Sequence, residues 1–116
     1  MLGFEPAFTA AGDTAYLTEP ILGTIEGVLR EALSNVVRHA KADSVSVDIR
    51  VDDMWLTLVV ADDGVGFDPA QVRHASGTTN TRRRAESLGG SATWTRSGQR
   101  GTTLTWRART GAEPLE

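Results

Sequence analysis

Glu31-Ala-Leu-Ser-Asn-Val-Val-Arg-His-Ala40 and Asp62-Asp-Gly-Val-Gly66 are the two stretches whose reading decides the fold. Around the first, apolar residues recur at Ile25, Val28, Leu29, Ala32, Leu33, Val36, Val37 and Ala40. That spacing is the period of an amphipathic helix. Glu31 and Asn35 stand one turn apart, share a side of it and flank the apolar stripe. A carboxylate and a carboxamide at the edge of a core suit the wall of a cleft. The second stretch follows the strand-like run Trp55-Leu-Thr-Leu-Val-Val-Ala61. Its two acids and two glycines predict a loop, opening at Asp62, that a ligand can approach closely.

Working outward, Thr18 is placed as the helix N-cap, with Pro20 in the first turn, where its missing N–H costs nothing. The helix is expected to end near Lys41, whose charge suits the negative end of the dipole. Gly23 and Gly27 each weaken it by about 1 kcal/mol relative to alanine, so packing must hold it. Upstream, Phe8 to Gly12 reads as a short edge strand, with Gly12-Asp13 turning the chain. Val45, Val47, Ile49 and Val51 alternate, and after a turn at Asp52-Asp53 so do Leu56, Leu58 and Val60: a hairpin with one buried face. Residues 67–75 read as a short polar connection. Thr79 to Leu88 reads as a second helix stopped by Gly89-Gly90. Ser91 to Arg96 and Thr102 to Arg109 read as a second hairpin, and the last seven residues as frayed. Helices on one face of a mixed, mostly antiparallel sheet make a two-layer α/β sandwich.

A chain of 116 residues fits one domain with one core. At 40% hydrophobic and 23% charged residues it reads as globular. It shows no apolar run of bilayer-spanning length and no signal-peptide pattern, so no membrane contact and a cytoplasmic location are expected. The absence of cysteine excludes disulfides and thiolate metal sites. The net charge of −3 is uneven: residues 1–68 hold twelve acids and four bases, residues 69–116 three acids and eight bases. Those later bases are scattered, without interleaved aromatics. They suit phosphate contact or a solvated surface, and no nucleic-acid partner is expected.

Residues 31–40 and 62–66 resemble the N box and G1 box of the ATP-binding domain of sensor histidine kinases, in the superfamily that includes gyrase, Hsp90 and MutL proteins. Ser76-Gly-Thr-Thr-Asn-Thr-Arg-Arg-Arg-Ala-Glu-Ser-Leu-Gly-Gly90 looks like the lid-end segment of kinases paired with LuxR/NarL-type response regulators. Gly101-Thr102-Thr103-Leu104-Thr105-Trp106 looks like the closing G3 element. The four motifs occur in the family's order over about residues 20 to 108. The resemblance implies a Bergerat ATP-binding fold, in a single domain (1–116) cut from a longer sensor kinase.

It also implies roles. Asp62 takes the position that reads the adenine amine, with Gly64 and Gly66 allowing close approach; unaided, the same aspartate would make an Asx-type turn bond. Asp63 stands where the family usually has Asn. Asn35 takes the Mg²⁺-ligand position, its amide oxygen a hard neutral donor. Glu31 stands where it can polarise the nucleophile or hold a metal-bound water. Arg38 and His39 match the basic-His pair: phosphate contact is open to Arg38, while a packed or capping role suits His39. Gly77, Thr78 and Thr79 lie at the start of a helix whose free N–H groups attract phosphates. Thr78 and Thr81 replace the family's apolar pair, a departure that bears on lid packing. Of Arg82, Arg83 and Arg84, the last is the one that departs from a solvated face. Gly101 and Thr102 match the pair that closes the pocket beneath the adenine. Trp55, Trp94 and Trp106 read as core or sheet-face packing.

The expected activity is a protein histidine kinase's catalytic domain. It would bind ATP and Mg²⁺ and donate the γ-phosphate to a histidine on a separate dimerisation/phosphoacceptor domain, with the response regulator downstream and the isolated domain monomeric. The alternatives are an anti-sigma-factor serine kinase of the same superfamily and a degenerate, non-catalytic interaction module.

Overall fold

A computed structural model describes residues 7–36, 44–64, 76–96 and 101–110. In chain order these form β1 (Ala7–Gly12), a 3-10 turn (Thr14–Tyr16), α1 (Glu19–Asn35), β2 (Val45–Val51), β3 (Trp55–Asp62), α2 (Ser76–Ser87), β4 (Ser91–Arg96) and β5 (Thr102–Arg109). The strands make one sheet in the order β1-β2-β3-β5-β4. β1 runs parallel to β2, which requires the crossover that α1 supplies. The other pairings are antiparallel. The sandwich expected from the sequence is thus present, including its edge strand.

α1 buries Ile25, Val28 and Ala32 of the helical stripe read from the sequence, and Ile21 one turn before it. They meet Val45, Val47, Val51, Leu56, Leu58, Val60, Leu104 and Trp106 from the sheet. Thr18 sits at the N-cap, but its side chain makes no capping bond. Pro20 in the second position removes one of the two N–H groups from which a cap oxygen can accept. Backbone bonding from Leu22 N to Thr18 O starts the helix at 2.9 Å. Val36 is still right-handed α (φ −60°, ψ −45°), and the expected end near Lys41 lies outside the described residues.

The two helix glycines differ. A Cβ on Gly23 would meet nothing within 4 Å, whereas one on Gly27 would lie 2.9 Å from the Arg84 guanidinium. Arg84 therefore lies against α1 where α1 has no side chain, but like Arg83 it stays exposed, so the departure from a solvated face expected of it is not seen. Gly23→Ala is expected to stabilise the fold by about 0.5–1 kcal/mol through helix propensity. Gly27→Ala should gain less or lose, because the guanidinium must move. Urea unfolding of both variants measures the difference.

α2 starts at Ser76, three residues before its expected start at Thr79. It ends in a Schellman arrangement: Gly89 has φ 75°, Gly90 N donates to Ala85 O at 2.8 Å, and Gly89 N donates to Glu86 O at 3.0 Å. Thr81 is buried, so one of the two polar departures lies on the packed side of this helix. Its carbonyl accepts from the Trp106 indole N–H at 3.0 Å, tying α2 to β5.

The second face of the sheet carries the polar positions. There the Arg107 and Arg109 guanidiniums lie 4.3 and 5.2 Å from the centre of the Trp55 ring. Of the later bases among the described residues, Arg107 and Arg109 thus lie on this face, Arg82 to Arg84 on α2 and Arg96 on β4, and Arg82 reaches Glu86 at 3.9 Å. Asp52 closes the β2–β3 turn, accepting from Met54 N at 2.8 Å and Trp55 N at 2.7 Å.

Candidate functional site

Period-two alternation carries β3 one residue beyond the expected strand end. Leu56, Leu58, Val60 and Asp62 occupy successive buried positions. Asp62 is therefore the last residue of the strand rather than the first of a loop, paired with Val45 on one side and Thr102 on the other. The alternation forces a carboxylate onto the core face, where it is 7% exposed.

Two backbone N–H groups hold that carboxylate. Gly64 N donates to Asp62 Oδ1 at 2.9 Å, and Thr102 N–H is its second backbone donor. The Gly64 bond is the Asx-type turn bond, so the local turn role and a place in the site coexist. Burial pushes the Asp62 carboxyl above its ordinary value; the backbone bonds pull the other way and the neighbouring Asp63 charge adds to the rise.

The glycines explain how the strands come this close. Gly101 has φ 93°, and a Cβ there would collide with the carbonyl oxygen of Asp62. Gly101 N donates to Gly64 O at 2.7 Å, fastening the start of β5 to the exit of β3. A side chain at position 101 would push apart the strands that orient Asp62.

A hollow of about 250 Å³, part of it open to solvent, lies between the end of α1 and this part of the sheet. Ala32, Asn35 and Val36 line it from α1; Val60 and Asp62 from β3; Thr102 and Leu104 from β5; and Trp94 from β4. Asn35, Asp62 and Thr102 are therefore brought to one cavity, with Gly64 and Gly101 behind its polar end. Glu31 is on α1 but is not among the lining residues. Gly77, Thr78 and Thr79 fall inside the first turn of α2 instead of preceding it. The free N–H groups of that turn thus belong to these residues themselves. Arg38, His39 and Gly66 lie outside the described residues.

The sequence reading assigned Trp94 to packing; it does pack against the core, and it also lines the hollow. The signal was available. Ala92 and Trp94 alternate onto the core face, and Trp94 pairs with Leu104.

Chemically, the cavity offers apolar walls, the buried carboxyl of Asp62, the amide of Asn35 and Thr102. That donor set suits a flat heterocycle presenting an amine to Asp62. It also fits Mg²⁺, which keeps waters and phosphate oxygens and needs few protein ligands; Asn35 supplies a hard neutral oxygen. Among the described residues, no cluster of three His, Cys, Asp or Glu offers a metal cage, and no helix is long and apolar enough to cross a membrane.

Comparison with known proteins agrees with this geometry. The chain is 34% identical over 100 residues to an uncharacterized sensor-like histidine kinase of Chloroflexus aurantiacus, covering 80% of this chain and 17% of that protein. It is 37% identical over 81 residues to the signal transduction histidine-protein kinase/phosphatase UhpB of Salmonella typhimurium, covering 70% and 16%. The chain thus spans about one sixth of the length of these relatives. In structure it matches full-length ShkA, solved in complex with AMPPNP, with a TM-score of 0.71 at 22% identity, covering 97% of this chain and 27% of that one. A family of ATPases matches residues 23–111, most of the sequence and all of the cavity just described. The chain belongs to that family, the histidine kinase-, DNA gyrase B- and HSP90-like ATPases.

Proposed function

We propose that this chain is the catalytic ATP-binding domain of a two-component sensor histidine kinase, of the subgroup that works with LuxR/NarL-type response regulators. The observation that carries the reading is the meeting of Asn35 and Asp62 in one hollow, with Asp62 buried and oriented by two backbone donors.

Asp62 accepts the adenine amine; Gly64, Gly66 and Gly101 let the backbone close around the nucleoside, and Thr102 seals it from below. The chain turns toward the phosphates at Asn35 and at the first turn of α2, where Gly77, Thr78 and Thr79 offer N–H groups to negative charge. By their match to the family's basic-His pair, Arg38 is assigned a phosphate contact and His39 a packed or capping role beside the nucleotide. Mg²⁺, when bound, supplies charge neutralisation across the triphosphate, and Asn35 is the residue here that would hold it. Glu31, one turn before Asn35, orients the group that attacks the γ-phosphate. Phosphoryl transfer depends on positioning and charge neutralisation, so no covalent intermediate on this chain is required. The acceptor is a histidine on a separate dimerisation/phosphoacceptor domain in the cytoplasm, and the isolated domain is monomeric.

Calorimetric titration with ATP and Mg²⁺ is expected to give one-site binding, and incubation with labelled ATP no phosphorylation of the domain itself. Adding a matching phosphoacceptor domain in trans should restore transfer to histidine. A titration without heat of binding at several temperatures would sink the reading, as would acid-stable phosphoserine appearing on a partner.

A further inference from the structure

Strand pairing fixes the layout of the hollow's floor. Asp62 lies opposite Thr102; one row inward, Val60 lies opposite Leu104, which lies opposite Trp94. Two residues along a strand cover about 7 Å and two strands across about 10 Å. The Trp94 backbone therefore stands diagonally across the sheet from Asp62, and its indole reaches back to line the same hollow. Of the three tryptophans, Trp106 is fully buried and Trp55 lies on the opposite face beneath Arg107 and Arg109. Trp94 alone among them meets the cavity.

Asp62 by itself does not choose a base. A carboxylate accepts from the adenine amine and equally from the N–H edge of guanine. Nor does it limit size, and the other apolar lining residues are aliphatic. Resting on the nucleotide reading above, we propose that Trp94 sets which base the pocket admits. Its indole closes the inner end of the hollow, beyond the row of Asp62 and Thr102, and restricts it to an unsubstituted adenine. A base whose amine meets Asp62 directs any substituent on that nitrogen inward, toward the row of Val60, Leu104 and Trp94.

The test compares ATP with N6-benzyl-ATP on the wild-type protein and on Trp94→Val and Trp94→Leu, with folding checked by circular dichroism. The wild type is expected to favour ATP by more than about tenfold, the scale on which apolar pockets discriminate by size. Both variants should shift that preference toward the benzyl analogue by about tenfold or more. A second readout reports contact directly. ATP should change the tryptophan emission of the wild type but not of Trp94→Phe, whose binding is followed by calorimetry. A benzyl-to-ATP preference within about threefold of wild type in the folded variants overturns the proposal, as does an unaltered emission change in Trp94→Phe. These results leave the nucleotide reading standing; that reading falls instead if the wild type binds no ATP.

Discussion

Asp62→Asn is expected to weaken ATP binding by about 10- to 150-fold, corresponding to the roughly 1.5–3 kcal/mol of a hydrogen bond to a charged group. Asparagine keeps an oxygen for the Gly64 N–H, which donates to Asp62 Oδ1 at 2.9 Å in the wild type. It gives up the negative charge and turns two donors toward groups that are themselves donors. Isothermal titration with ATP and Mg²⁺ measures the loss. An affinity within about threefold of wild type would mean that Asp62 reads no amine.

The same substitution should leave the empty domain at least as stable as the wild type near neutral pH. Burial raises the Asp62 pKa above its ordinary 3.8, so the unfolded chain gives up this proton at lower pH than the folded one. The stability associated with Asp62 is therefore complete below pH 3.8 and declines as the pH climbs through the folded-state value. Asp48 and Asp52 act in the opposite sense. Thr9 and Arg50 hold the Asp48 carboxyl below its ordinary value, and the Trp55 and Met54 N–H groups do so for Asp52. Their contributions are present above pH 3.8 and fade as the pH falls through the lower folded-state values. Thermal unfolding across pH 3 to 8 should show Asp62→Asn gaining on the wild type as the pH rises. The site thus trades stability for a buried carboxyl that its two backbone donors only partly offset.

Trp106→Ala is expected to have the largest effect on the fold. The side chain is fully buried, and its indole N–H donates to Thr81 O at 3.0 Å. Truncating a buried tryptophan costs about 3–5 kcal/mol, a large part of the 5–15 kcal/mol typical of a domain. At the lower end of that range the variant keeps at most about 2 kcal/mol of stability. Trp106→Phe keeps most of the volume and removes the donor; a cost of roughly 1–3 kcal/mol is expected. Urea midpoints with unchanged slopes give both numbers. If Trp106→Phe matched the wild type, the indole bond to α2 would contribute nothing to holding that helix.

These outcomes separate two levels of information in the chain. Period 3.6 at Ile25, Val28 and Ala32 and period 2 along β2 and β3 made α1 and the first hairpin legible, because each pattern has one burial solution. Gly89-Gly90 announced the end of α2 for an equally local reason: a left-handed residue there needs no Cβ. The start of α2 was less legible: Ser76-Gly-Thr-Thr carries no apolar periodicity, so its first turn read as loop, whereas Thr18 was correctly placed at the N-cap of α1, though without a side-chain capping bond.

Sequence by itself determined the two-layer sandwich and the edge strand, which follow from periodicity and residue type, while the pairing of a helix-borne amide with an aspartate at a strand exit came from the family resemblance of their motifs. Tertiary structure alone decided that Asp62 belongs to the strand and to the core face, where desolvation raises its pKa. It also decided that Arg84 lies against Gly27 and that Trp94 reaches the cavity. Each of those facts depends on which distant strand or helix lies alongside, and contacts between residues dozens of positions apart leave no period in the chain to read.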